Sequence, residues 1–368
     1  MDTKTLIIEL VSAATKLPNH NIAEIIEVPK VAEMGDFALP CFKLAATMKK
    51  DPQQIAKDIA AHVKLPKDLI KEVKVSGPYV NFFVNKSSLA EAVLTEVFKK
   101  KGLFGSADIG KGKQVVLDVI GLNPNKEGHI GHVRNGCIGD SLARVYKFAG
   151  FRISTQSFIN DQGLPTAMTF YASKKLRGKL PKKLGHLKKE DHWQGAIYTF
   201  MEKLLEKDAR VKKEVEAMQY VLEHHKDMKL VNEQRAFIEA CKAAQSETWN
   251  RLGADFDLGV HESDITTSGV LAKTVELLKK KGAVYVSKED ETRGCLMLKL
   301  SHFDAFKGMK NADKIIVRAD GRTTYTGKDV GMQFWRFGLV PDLMKYSVSS
   351  KTPGHTEWAT NNLSGKNV

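Results

Sequence analysis

Long apolar runs are missing from this chain: nothing approaches the roughly 20 consecutive apolar residues that a helix needs to cross a bilayer, and a helical membrane protein is not expected. The start, Met1-Asp2-Thr3-Lys4, lacks a basic segment leading into an apolar stretch, so secretion is not expected and the cytoplasm is the default compartment. Cysteine is scarce. Cys41, Cys137, Cys241 and Cys295 are scattered without a C-x-x-C pair, which argues against a zinc knuckle and a disulfide framework and leaves reduced core thiols. His224-His225 has no cysteine or carboxylate near it at ligand spacing; it reads as surface, and no protein metal site is expected.

Acidic residues are outnumbered, 43 against 57 basic, and the resulting net charge of +14 favours a phosphate backbone as partner. Lysines concentrate between Lys174 and Lys189, where Gly178, Pro181 and Gly185 interrupt any helix. Two readings stand: a solvated loop, or an electrostatic guide for an RNA end. With 368 residues the chain can hold two domains and a sizeable core.

What is present is concentrated in Asn123-Pro124-Asn125-Lys126-Glu127-Gly128-His129-Ile130-Gly131-His132. This segment lies between an apolar run, Val115 to Ile120, and an amphipathic pattern, Val133 to Phe148. Strand, polar loop, His-x-Gly-His and helix is how a Rossmann-type sheet presents an ATP-binding edge. Gly131 has no side chain, so a flat adenine can lie against the backbone. His129 and His132, three apart at a helix mouth, can both face one phosphate chain. Near-neutral imidazoles and a helix N-terminus suit a pentacovalent α-phosphate, hence adenylyl transfer.

The same segment, continued by Val133-Arg134-Asn135, Ile138 to Arg144 and Phe158-Ile159-Asn160-Asp161-Gln162-Gly163, resembles arginyl-tRNA synthetase, a class I aminoacyl-tRNA synthetase. Gly35-Asp36-Phe37 and Ser76 to Phe83 are similar to the N-terminal domain peculiar to that family, and Arg318-Ala319-Asp320-Gly321, Thr324-Tyr325 and Asp329 to its later strand and pocket helix. The resemblance runs from the first helix to about Trp358. It implies an α/β fold: a Rossmann-type class I catalytic domain with a helical insertion, preceded by a small α/β tRNA-binding domain. It further implies ATP with Mg2+, arginine and tRNA(Arg) as ligands, a monomer, and His129 and His132 as the residues that stabilise charge on the phosphates.

On this reading residues 1–108 form the N-terminal domain, with a helix near Thr3 to Lys16, a helix started by Asp51-Pro52, and strands near Ile70 to Val75 and Val80 to Val84. The alternation in Tyr79-Val80-Asn81-Phe82-Phe83 fits either a core strand or a strand from which Tyr79 and Asn81 reach outward; the resemblance assigns Tyr79, Asn81 and Asn85 to the D-loop corner of tRNA. Residues 109–368 form the catalytic domain, with a strand at Arg152 to Phe158. A helical insertion over about 165–312 carries helices at Gln194 to Lys207, Val211 to His225 and Val231 to Asn250. Lys314 to Arg318 is expected to return to the sheet. Asp161, at a strand end, is read equally as a ligand contact or as a helix N-cap.

Tyr325 and Asp329, four apart, share a helix face if Thr326 opens the helix, and a ring with a carboxylate can hold a guanidinium by stacking and a charge-assisted bond. The resemblance completes this arginine pocket with Asp118 and Asn123. There are departures: Asp118 stands where glutamate is usual, Gly121-Leu122 replaces Ser-Pro, and Gly327-Lys328 replaces Thr-Arg. The later segments of the family, which supply a pocket glutamine, the Lys-Met-Ser-Lys-Ser-type loop and the anticodon-binding domain, have no counterpart in the 368 residues; Ser349-Ser350-Lys351 is no substitute. The expectation is therefore a truncated, weakly active or inactive portion of the enzyme, with C-terminal disorder after about Tyr346 where apolar surface is left uncovered. A tRNA-binding paralogue and a non-synthetase nucleotidylyltransferase are the alternatives.

Overall fold

The structure is a computed structural model describing residues 3–181, 186–352 and 354–367; Lys182 to Gly185, in the middle of the basic stretch, lie outside the described residues. The chain divides into two units, Met1–Gly105 and Ser106–Val368.

The first unit holds helices α1 (Thr3–Thr15), α2 (Asn19–Ile25), α3 (Ala45–Met48), α4 (Pro52–His62) and α5 (Lys86–Lys100), with strands β1 (Phe37–Pro40), β2 (Ile70–Ser76) and β3 (Tyr79–Val84). Lys16 ends the first helix by adopting φ +60°. Asp51 caps α4 as expected, accepting from the Gln53 and Gln54 amides at 2.9 and 3.1 Å, with Pro52 in the first turn. The antiparallel sheet has order β1-β3-β2, so β3 is central. Its core gathers Ile7, Val11, Ile22, Leu39, Ile55, Ile70, Val80 and Phe82, each contributing about 1.5–3 kcal/mol by leaving water. The Gly35-Asp36-Phe37 motif is structural here. Gly35, at φ +91°, has no room for a Cβ, which would lie 2.8 Å from the Phe82 carbonyl oxygen. Asp36 accepts the Val84 amide at 2.8 Å.

The second unit is built on a five-stranded sheet of β4 (Gln114–Asp118), β5 (Arg152–Ile159), β6 (Leu258–His261), β10 (Tyr346–Thr352) and β11 (His355–Thr360) in the order β10-β11-β6-β5-β4; all neighbours are parallel except the β10–β11 hairpin. Helix α6 (Ile130–Phe148) connects β4 to β5. Then come α7 (Leu164–Lys175), α8 (Glu190–Leu205), α9 (Ala209–Glu223) and α10 (Met228–Leu252). After β6 follow α11 (Glu262–Thr267) and α12 (Val270–Lys280), then a small antiparallel sheet of β7 (Val284–Val286), β8 (Leu296–Leu298) and β9 (Lys314–Val317), and finally α13 (Tyr325–Arg336). Gly139 lets α6 close on the end of β4, because a Cβ there would overlap Val119.

Three expectations are corrected. The insertion does not run unbroken from 165 to 312: Leu258–His261 re-enters the main sheet beside β5. Lys314–Val317 does not rejoin that sheet but pairs with β8. And the described residues after Tyr346 pair as the β10–β11 hairpin, with Trp358 opposite Leu258 on β6. A four-residue strand such as Leu-Gly-Val-His carries too little periodicity to be separated from the helix that follows it.

Candidate functional site

Helix α6 begins at the C-terminal edge of the parallel sheet, where open α/β sheets bind ligands. His129 is its N-cap. The Gly131 amide donates to His129 Nδ1 at 3.1 Å and the His129 amide donates to His132 Nδ1 at 3.1 Å, a reciprocal capping box. The rings stack at 3.7 Å with an interplanar angle of 24°. Each Nδ1 accepts, so each neutral ring carries its proton on Nε2, free to donate outward. Desolvation, then the neighbouring His129 and Lys126 charges, hold His132 below the ordinary histidine range, which favours that neutral form. Gly131 also makes room for the His129 ring, whose Cε1 would stand 3.0 Å from a Cβ.

The strand-to-loop turn is strained. Ile120 and Gly121 both have positive φ, +66° and +69°, and for a β-branched residue that is a true outlier of the kind found at functional sites. At Gly121 the departure from serine acquires a reason, because a φ of +69° is open to glycine and strained for a residue with a Cβ.

The loop from Asn123 to Gly128 is held by residues that sequence reading did not single out. On α10, the buried Gln245 donates from Nε2 to the Asn123 carbonyl at 3.0 Å and to the Lys126 carbonyl at 2.5 Å. Trp249, one turn on, would lie 2.9 Å from a Cβ at Gly128. Lys126 Nζ sits 5.1 Å from the centre of the Tyr198 ring on α8. A buried glutamine four residues before a tryptophan was the only available signal, and nothing local distinguishes it from ordinary helix core. Asn125 is also buried, and its side-chain oxygen and nitrogen have no partner among the described residues.

Helix α13 carries Tyr325 and Asp329, the two residues expected to receive a guanidinium. Thr324, not Thr326, opens it: the Thr324 hydroxyl accepts the Gly327 amide at 3.2 Å. Tyr325 is exposed, and a Cβ at Gly163 would stand 3.2 Å from its hydroxyl. A cavity of about 220 Å³ beside it is lined by Gly163, Gln219, Glu223, Arg318, Arg322 and Lys328, among others. The Asp329 carboxyl is pushed above its ordinary value, first by desolvation and second by the charge of Asp118, so these two acids share one neighbourhood. Asp118, at the end of β4, is paired with Arg336 at 2.9 Å. Gly327 and Lys328 also acquire roles: a Cβ at Gly327 would overlap the Ile316 carbonyl oxygen of β9, and the buried Lys328 pairs at 3.0 Å with the fully buried Glu262 of α11. Burial raises the Glu262 carboxyl to about 7 against the opposing pull of Lys328.

Other candidates take structural places. Asp161 is buried and accepts from the Ser263 amide at 2.9 Å and the Ser263 hydroxyl at 2.6 Å, capping α11 from another element. His225 is half-buried and lines a cavity of about 20 Å³ with Asp161 and Arg235, so the surface reading fails for it. Ser349 accepts from the buried Lys242 at 2.6 Å, within β10. In the first unit Tyr79 packs edge-on against the exposed Phe42 at 5.8 Å. Asn85 caps α5 through the Ser88 amide at 3.3 Å. Asn81 does not reach outward: it is 3% exposed, because β3 is central and covered on both faces over 80–82.

A parallel sheet with this histidine-capped helix at its C-terminal edge is the catalytic fold of a class I aminoacyl-tRNA synthetase. The family profile "Arginyl tRNA synthetase N terminal domain" matches residues 2–84, and "tRNA synthetases class I (R), catalytic domain" matches residues 93–359. The chain belongs to the arginyl-tRNA synthetase family, which sets aside the non-synthetase nucleotidylyltransferase. It is 37% identical over 318 residues to the arginine–tRNA ligase of Pyrococcus abyssi, covering 84% of this chain and 50% of the relative. It is 32% identical to that of Thermococcus sibiricus, covering 97% and 56%. The solved Thermus thermophilus arginyl-tRNA synthetase superposes with a TM-score of 0.66 at 26% identity, over 99% of this chain and 57% of that one. The chain thus spans about half the length of the curated relatives it matches.

Proposed function

We propose that the chain carries the amino-acid-activating site of an arginine–tRNA ligase, joining arginine to ATP and passing the arginyl group to tRNA(Arg) in cytoplasmic protein synthesis. The observation that carries this reading is the capping box of His129 and His132, which leaves two Nε2–H donors side by side at the positive end of α6. ATP enters with Mg2+ as part of the substrate. The arginine carboxylate attacks the α-phosphate, the bond to pyrophosphate breaks, and the developing charge is met by those donors and the helix terminus. The 2′- or 3′-hydroxyl of the terminal ribose then attacks the arginyl carbonyl, losing its proton as AMP leaves.

Gly131 gives the adenine its approach, Asn123 orients the amino acid, and Tyr325 with Asp329 receives the guanidinium, Asp118 lying within charge range. This selects arginine over lysine because a planar fork, unlike a point charge, both stacks and bonds bidentately. In the first unit, Tyr79 with Phe42 offers an aromatic surface for an unpaired base. Asn85, past the opposite end of β3, makes a separate contact through the start of α5, and Asn81 contributes from beneath as a core amide. The protein acts as a monomer on this reading.

Calorimetric titration with arginine, lysine and citrulline, each with and without a non-hydrolysable ATP analogue and tRNA(Arg), tests the proposal. Binding of arginine alone among the three is the expected result. No arginine binding while the analogue still binds refutes it.

A further inference from the structure

The acid assigned to the arginine pocket at the end of β4 already has a guanidinium on it, and that guanidinium is the chain's own. Arg336 Nη1 donates to Asp118 Oδ2 at 2.9 Å, and Arg336 Nε donates to Gln156 Oε1 at 2.8 Å. The parallel register sets Asp118 opposite Gln156, so two adjacent strands present a carboxylate and an amide oxygen to one side chain. The Arg336 side chain is only 6% exposed, whereas Asp118 is 44% exposed. Arg336 follows Asp329 by seven residues, close to two turns, so the two leave the same side of α13 about 10 Å apart along its axis.

We propose that Arg336 is a positioning and selectivity residue: it keeps Asp118 as its own partner, so that the ligand's guanidinium is received by Asp329 and Tyr325 and meets Asp118 only as a nearby charge. This rests on the arginine-binding reading above and refines it. For a ligand to engage Asp118 with both oxygens, Arg336 would have to release it. A cation this deeply buried would then face Gln156 alone, and stripping one partner from a buried charge pair weakens a site by more than about 100-fold. The groups facing Asp329 are Asp118 from β4 and Lys328 and Arg336 from its own helix. Lys328 is turned away to Glu262 at 3.0 Å, so among Asp118, Asp329 and Arg336 the two acids less the one cation leave a single negative charge, matched to one incoming cation. Without Arg336 the pocket would carry two, and would hold any cation with less regard for its shape.

The test combines 15Nε-labelled arginine NMR of the whole chain with calorimetry on Asp118→Asn and Asp329→Asn. The Arg336 Nε–H signal, assigned by its loss in Arg336→Lys, is expected to exchange slowly with water in the wild type and faster in Asp118→Asn. It should also stay in place when unlabelled arginine saturates the site. Arginine affinity should fall less than about 10-fold in Asp118→Asn and more than about 100-fold in Asp329→Asn. Displacement of the Arg336 signal by arginine, or a loss in Asp118→Asn as deep as in Asp329→Asn, overturns the proposal. A wild-type chain that fails to bind arginine sinks the ligase reading instead. The Arg336 exchange rate still decides the pairing in that case, since fast exchange in the wild type overturns it with or without ligand.

Discussion

Substituting methionine for Lys328 would leave the fully buried Glu262 of α11 without its only close cation among the described residues, and the consequence is a change in the shape of stability against pH. In the wild type the Glu262 carboxyl titrates at about 7 instead of 4.5. The raised value means that the native state holds a proton which the unfolded chain has released. The contribution of Glu262 to stability is therefore fully present below 4.5, is lost as pH rises between 4.5 and 7, and levels off above 7. With about 1.36 kcal/mol per unit, a shift of roughly 2.5 units makes the full fall about 3 kcal/mol. Lys328 opposes that shift, so in Lys328→Met the folded-state value climbs further and the decline continues past pH 7 at about 1.4 kcal/mol per unit. At pH 5 the two proteins should differ little from this cause, because Glu262 is protonated in both. Urea denaturation from pH 5 to 9, followed by the fluorescence of Trp335 on the same helix, reads the slopes. Parallel curves for wild type and variant across that range would refute the reasoning, since they would mean that Lys328 does not hold the charge of Glu262.

Gln245→Ala removes the donor shared by the Asn123 and Lys126 carbonyls. It should cost about 1–3 kcal/mol and speed amide exchange across 123–128, with weaker binding of an ATP analogue; unchanged exchange there would show that the loop holds itself. Gly139→Ala forces a methyl into Val119 and should destabilise by about 1–3 kcal/mol. Gly178→Ala, where nothing lies within 4 Å of the added atom, should stay within about 0.5 kcal/mol by the same denaturation assay.

The histidine-capped start of α6 was legible because its determinants are contiguous. Histidine, glycine and histidine following an apolar run require only one turn of helix to converge, and the capping box closes over four residues. That Tyr325 and Asp329 lie on one helix was legible for the same reason, although the helix opens at Thr324. The partner of Asp118 was not: Arg336 lies 218 residues away and Gln156 one strand over, and nothing in either neighbourhood marks a binding residue. Asn81 stayed open between core and outward-facing because alternation along a strand reveals a polar position but not whether a neighbouring element covers it; the structure buries it. Strand β6 was swallowed by the insertion because four residues leave no measurable period.

Sequence by itself determined the family, the paired domains, the histidine motif and the location of most helices, since each rests on local spacing, capping or a run of residues long enough to show a period. Tertiary structure alone decided that Gln245 and Trp249 grip the loop before His129, that β9 pairs outside the main sheet, and that Arg336 occupies Asp118. Those outcomes depend on which distant surfaces meet and exclude water together, and burial and charge pairing across such contacts have no signature in the neighbouring residues of the chain.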